Sequence, residues 1–171
     1  GTGYGRRGTL GRLRYGDNFA GATQAIGYGE TVTLGGVKVT FHPAGHVLGS
    51  AQVAVELDGL RIVASGDYKN VGDPTCAPFA LVQCAVFITE ATFGLPVFRH
   101  GNADAEIAKL LHSVMLFPER AHLVGAYSLG KAQRVIALIR KTGYDEPIFL
   151  HGAMEKITRY YQSHGIDLGR T

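Results

Sequence analysis

The chain has 171 residues, with 17 Lys and Arg against 14 Asp and Glu, for a formal net charge of +3. That length supplies one domain with a real core and is short for two generous ones, and 46% hydrophobic with 18% charged residues is an ordinary globular composition. No run approaches the ~18 apolar residues of a membrane span, so no membrane-spanning helix is expected. Cys76 and Cys84 form neither a disulfide framework nor a Cys-x-x-Cys site. With no signal-peptide pattern at the start, reduced thiols and a cytoplasmic location are expected. The mild basicity is compatible with a nucleic-acid partner and does not by itself identify one.

Residues 1–26 are Gly-rich and carry Arg6, Arg7, Arg12 and Arg14 before the first acid, Asp17. Without helical or strand periodicity, loose packing is expected there, the alternative being a phosphate-contacting arm. From Glu30 the character changes. Residues 31–34 and 37–42, split by Gly35-Gly36, read as a hairpin, and residues 51–64 read as another around Asp58-Gly59. With Asp58-Gly59 as the loop, Leu57 faces Leu60 and counting back places Ser50 opposite Asp67. The loop bearing His46 and the loop bearing Asp67 then leave the same sheet edge. An imidazole and a carboxylate are suitable ligand types for a zinc-like metal; the alternative is two polar residues satisfying loop backbone. His42 reads as packing or as support for a nearby ligand.

Residues 69–79 form a Pro-containing loop, and residues 84–89 are an almost wholly apolar run that predicts a buried strand. Glu90 follows directly, at the kind of strand end where ligand-binding side chains gather; the alternative is a carboxylate capping local amides. Beyond Gly94 the period lengthens. Residues 103–117 predict a helix with Ile107, Leu110, Leu111, Val114 and Leu116 on its apolar face, ended by Pro118. Strands are expected at 121–125 and 147–150, with helices at 128–141 and 152–164. That alternation predicts a small parallel sheet.

The stretch Gly125 to Lys131 satisfies Gly-x-x-x-x-Gly-Lys, yet Ala132 stands where a nucleotide-hydrolysing P-loop needs a hydroxyl to hold magnesium, so that reading is set aside. The local physics remains: Ser128 is expected to cap the following helix, whose free N–H groups favour an anion, with Lys131 and Arg134 adding charge. His151, at another strand end, reads as structural or near substrate. His100, His112, His122 and His164 read as surface or packing residues.

Several motifs together resemble one family. Gly45-His46-Val47-Leu48-Gly49-Ser50 and Ser65-Gly66-Asp67-Tyr68-Lys69 look like the third and fourth metal-ligand motifs of the metallo-β-lactamase superfamily. Thr89-Glu90-Ala91-Thr92-Phe93-Gly94 resembles the acidic motif that opens its nucleic-acid-processing β-CASP branch. With residues 73–79 (Asp-Pro-Thr-Cys-Ala-Pro-Phe) and 129–134 (Leu-Gly-Lys-Ala-Gln-Arg), the pattern is most similar to bacterial ligase-associated DNA exonucleases. The resemblance runs from about Gly27 to Leu168. It implies an α/β fold in which residues 27–94 are a partial metallo-β-lactamase-type layer of antiparallel hairpins and residues 95–171 an incomplete β-CASP-like parallel α/β unit.

The same resemblance implies His46 as a ligand of one zinc, Asp67 as the bridge of a two-zinc site, manganese as a substitute metal, and Glu90 as the acid that orients a ligand or moves a proton. It implies a DNA substrate, with RNA as the alternative, contacted through Ser128, Lys131 and Arg134, and a functional link to a DNA ligase. The family's His-x-His-x-Asp-His motif is missing from the 171 residues, as are its later histidine motifs. Two readings follow: a metal-dependent exonuclease, or a truncated non-catalytic or nucleic-acid-binding remnant. With so few ligands, the chain by itself is expected to be inactive.

Overall fold

A computed structural model describes residues 3–6 and 23–171. The chain divides into two units, Gly1–Glu90 and Ala91–Thr171, so the division falls inside the Thr89–Gly94 motif rather than after it. In the first unit, β1 (Gly3–Arg6) pairs in parallel with β2 (Thr23–Ile26), a strand where the Gly-rich composition gave no periodicity. Arg7, Arg12 and Arg14, and with them most of the expected loose segment or phosphate arm, lie outside the described residues.

The remaining strands form one sheet in the order β3 (Thr31–Leu34), β4 (Val37–Pro43), β5 (Ala51–Leu57), β6 (Leu60–Ala64) and β7 (Val86–Ile88). All neighbours are antiparallel except β6 and β7, which run in parallel. Both tight turns lie where the sequence puts them. Leu34 pairs with Val37 across Gly35-Gly36, and Leu57 with Leu60 across Asp58-Gly59. A two-residue hairpin loop that follows the strand twist needs positive φ at both positions. Asp58 adopts 51° and Gly59 81°, a conformation an Asp tolerates and a Gly adopts without strain.

The register sorts the side chains by face. Val39, Phe41, Val53, Val55 and Ile62 share one face, which continues onto Val86 of β7. Lys38, Thr40, His42, Gln52, Ala54, Glu56, Arg61 and Val63 share the other. Among the latter, Gln52, Ala54 and Val63 are buried. The rest line a polar cavity of about 300 Å³, where Glu56 accepts hydrogen bonds from Arg61 Nε at 2.9 Å and Nη2 at 2.6 Å. The expectation of a buried strand at 84–89 is not met. β7 has three residues, all exposed, because it lies at the sheet edge where β6 is its one strand neighbour.

The second unit contains α1 (Ala103–Leu116), α2 (Lys131–Lys141) and α3 (Gly152–Ser163). Asn102 caps α1, its Oδ1 accepting from the amides of Asp104 and Ala105. Of the apolar face expected on α1, only Ile107 is fully buried; it packs with Leu138 and Ile139 of α2, and Leu116 stays exposed. On α2, Ala132, Ile136 and Ile139 are buried.

The strands expected at 121–125 and 147–150 are not formed. Neither segment has a ladder partner, and a lone extended segment leaves its backbone groups to water or to loops, as Ile148 N does in donating to Arg170 O. Leu123 and Phe149 are 96% and 94% exposed. The two segments and α2 instead line an apolar cavity of about 380 Å³. Among the described residues, no helix is long and apolar enough to cross a membrane.

A buried polar side chain holds α2 to its surroundings. Gln133 accepts from Gly130 N at 2.8 Å and donates to Ser128 O and to Thr158 Oγ1 of α3. Gln133→Leu keeps the bulk and orphans those groups, so urea unfolding followed by helical circular dichroism should show a loss of about 2–3 kcal/mol. A loss under ~0.5 kcal/mol would show the network to be dispensable.

Candidate metal centre

His46 lies in the loop joining β4 to β5, and Asp67 three residues past the end of β6. Because β5 is antiparallel to β6, the start of one and the end of the other meet at the same sheet edge. His46 Nε2 and Asp67 Oδ2 are 3.8 Å apart, with side chains 41% and 75% exposed. The pair therefore faces solvent while its loops are fixed from beneath. The expected pairing of Ser50 with Asp67 is not a ladder pair. The β5–β6 ladder stops at Val53 and Ala64, since Ser65 turns its amide to Ile88 O of β7.

Ser50 has a different task, one that the sequence reading did not assign. Its Oγ accepts from the amides of His46 and Val47, and its carbonyl takes Ala44 N and the Tyr28 hydroxyl. A Ser closing a Gly-rich loop is the available signal for such a side-chain turn. The Asp67 loop is bound to this one through backbone. Lys69 N donates to Ala44 O at 2.9 Å, Ala80 N to Pro43 O at 3.0 Å, and buried Gln52 donates from Nε2 to both Pro43 O and Ala80 O. Gly45, at φ 71°, lies against the Lys69 carbonyl and Phe79 N so closely that no side chain fits there.

Beneath the loop, Asp73 is 3% exposed and accepts from Lys69 Nζ at 2.8 Å and from Thr75 N and Oγ1. Burial alone would raise its pKa. The hydrogen bonds from Lys69 and Thr75, with the lysine's charge, outweigh that and hold it below the ordinary carboxylate value.

Comparison with known proteins shows the family. No family model matches the chain. Endoribonuclease YSH1 of Saccharomyces cerevisiae is 32% identical over 119 residues, 68% of this chain and 15% of the relative. Endoribonuclease ysh-1 of Neurospora crassa is 31% identical over 146 residues, 82% of this chain and 16% of the relative. A probable DNA ligase of Opitutus terrae is 32% identical over 144 residues, 81% and 14%. The chain belongs to the β-CASP branch of the metallo-β-lactamase superfamily. It spans about 15% of the length of the curated relatives it matches. A solved structure from Enterococcus faecalis V583, described as a protein of unknown function, shares the fold with TM-score 0.50 over 81% of this chain and 38% of that one, at 14% identity.

β-CASP proteins imply zinc, and the donor chemistry of His46 and Asp67 fits that metal. The donor number does not. Among the described residues, no group of three or more His, Cys, Asp or Glu side chains is placed to hold an ion, and a catalytic zinc needs three protein donors plus water. Glu90 follows β7, whose end runs beside that of β6, so it leaves the same sheet edge as Asp67.

His42 lines the polar cavity of the sheet, where burial and then the Arg61 charge hold its pKa below the ordinary value. His151 caps α3, its Nδ1 accepting from Ala153 N. His122 contacts Ser113 Oγ and Arg120 O, and His164 stacks on Tyr160.

The expected anion cradle needs correction. The helix starts at Lys131, and Gly130, not Ser128, is its cap residue; Ser128 contributes only its carbonyl, to Gln133. Three amides of that turn are already used: Gly130 N by Gln133 Oε1, Lys131 N by Leu129 O and Ala132 N by Tyr127 O. What remains for an anion is side-chain charge, with Lys131 Nζ 4.8 Å from the Tyr127 ring centroid and Arg134 one turn on.

The lowered pKa of Asp73 has a definite sign in stability. A carboxylate with a depressed folded-state value stabilises fully above its unfolded value, near 3.8, and loses that contribution as pH falls through the folded value. Asp73→Asn should therefore cost about 2 kcal/mol at pH 7, and the gap between variant and parent should shrink as pH drops below ~4. Urea titrations at several pH values check this, and a gap that widens in acid would reverse the assignment.

Proposed function

We propose that this chain carries one side of the active-site edge of a metal-dependent nucleic-acid phosphodiesterase. The supporting observation is the convergence of His46 and Asp67, 3.8 Å apart, at the sheet edge from which Glu90 also emerges. His46 and Asp67 would be two of the metal donors, with Asp67 suited to bridging, and Glu90 would orient a donor or move a proton. Zinc suits the mixed nitrogen and oxygen set, and manganese is a workable substitute for a carboxylate-containing site.

For the substrate, the motifs at 73–79 and 129–134 favour a DNA exonuclease of the ligase-associated kind, and the similarity to a probable DNA ligase agrees with that reading. Similarity to endoribonucleases favours RNA as the second reading. In either case Lys131 and Arg134 attract the phosphate backbone by charge.

Two donors, one of them meant to be shared, leave the 171-residue chain without turnover of its own. Purified chain with end-labelled DNA or RNA, given zinc or manganese, should show no shortening above background. It should still bind single strands weakly, with a log–log salt slope that falls by roughly 0.7 for each of Lys131 and Arg134 replaced by Ala. Stepwise shortening that vanishes in His46→Ala and Asp67→Ala would overturn the two-donor account. A zinc affinity untouched by both substitutions would sink the metal assignment.

A further inference from the structure

The covalent and hydrogen-bonded path between His46 and Asp67 is short. It runs from His46 through Gly45 to Ala44, crosses the bond from Lys69 N to Ala44 O, and returns through Tyr68 to Asp67. Two peptide links lie on each side of one hydrogen bond, so whatever fixes Lys69 fixes the gap between the two donors. The backbone at Gly45 already touches the Lys69 carbonyl and Phe79 N, which leaves the loops no room to approach further. They can only part.

We propose that Lys69 and Asp73 are positioning residues that keep them from parting, an assignment whose functional half rests on the metal reading above. Lys69 Nζ donates to Asp73 Oδ2 at 2.8 Å, and the other carboxylate oxygen takes Thr75 N at 2.9 Å and Thr75 Oγ1 at 2.6 Å. Thr75 is itself buried. A carboxylate held on both oxygens cannot swing, so it pins the lysine whose own amide joins the loops. Tyr68, between Asp67 and Lys69, packs its ring on Phe79 at 5.2 Å and Phe87 at 6.4 Å, which limits twisting of the intervening residue. The ion pair is half-buried, with the Asp73 side chain 3% and the Lys69 side chain 24% exposed, so it is screened less than a surface pair would be. Neither residue touches the reacting groups; both act through Lys69 N and the backbone.

Two readouts on the full chain test this. Amide hydrogen exchange at Lys69 reports the loop-joining bond directly, and zinc titration followed by the His46 ring signals reports the donor gap. Asp73→Ala should speed Lys69 exchange at least ~10-fold while β5–β6 ladder amides stay within about 2-fold, and zinc affinity should fall by a similar factor. Asp73→Asn, which keeps an oxygen for Thr75, should give a smaller change of the same kind. Lys69→Met covers the case in which Asp73→Ala fails to fold.

Unchanged Lys69 exchange in both Asp73→Ala and Lys69→Met overturns the proposal, as does an equal loss of protection across the ladder. So does faster exchange with unaltered zinc affinity. If the parent chain binds no zinc while the exchange difference appears, the latch stands and the metal reading fails.

Discussion

The register of the β4–β5–β6 ladder is the constraint on which the first unit depends. Side chains alternate along a strand, so a slip of one residue would exchange the two faces and move buried Phe41, Gln52 and Ala54 out of their places. Two-residue turns at Gly35-Gly36 and Asp58-Gly59 leave no slack for such a slip. Once register is set, the loop after β4 and the chain leaving β6 have to emerge together. Backbone bonds from Lys69 and Ala80 then close the space between them. The approach of His46 to Asp67 is thus a consequence of strand pairing first and of loop chemistry second.

That order explains what could be read from the residues. Asp58-Gly59 is a local signal with a stereochemical cause, and it carried the reading from a turn to the meeting of two loops some twenty residues apart. Helix α1 followed from apolar periodicity in the same way. What escaped was set by neighbours that no local pattern names. β7 is apolar like a buried strand, yet it lies at an edge and stays exposed. Residues 121–125 and 147–150 have strand composition and no strand partner. Ser128 looks like a cap, but the cap residue is Gly130, whose amide Gln133 takes from the third helical position. Ser50 reads as the end of its motif, and only the folded loop shows how many donors it satisfies.

On the proposed reading, each unit carries its own part of the chemistry. The first offers paired donors held by backbone and by a buried carboxylate. The second offers Lys131 and Arg134 at the start of α2, a helix secured by the buried contact of Gln133 with Thr158. With three amides of that turn occupied within the chain, affinity for a polyanion there would, on the same reading, come from side-chain charge. Such affinity is sequence-tolerant and sensitive to salt. This suits a surface that holds a backbone rather than one that reads bases, and it leaves the choice between DNA and RNA to the parts of the site that contact sugar and base.

The claim that matters most is that His46 and Asp67 share a metal ion. The most direct measurement is an anomalous difference map from crystals of this chain soaked in zinc. The account predicts a peak between His46 Nε2 and an Asp67 carboxylate oxygen, at about 2.0–2.2 Å from each, the remaining positions filled by solvent. A zinc peak on His151 or His122, with the space between His46 and Asp67 empty at the same zinc concentration, would contradict it.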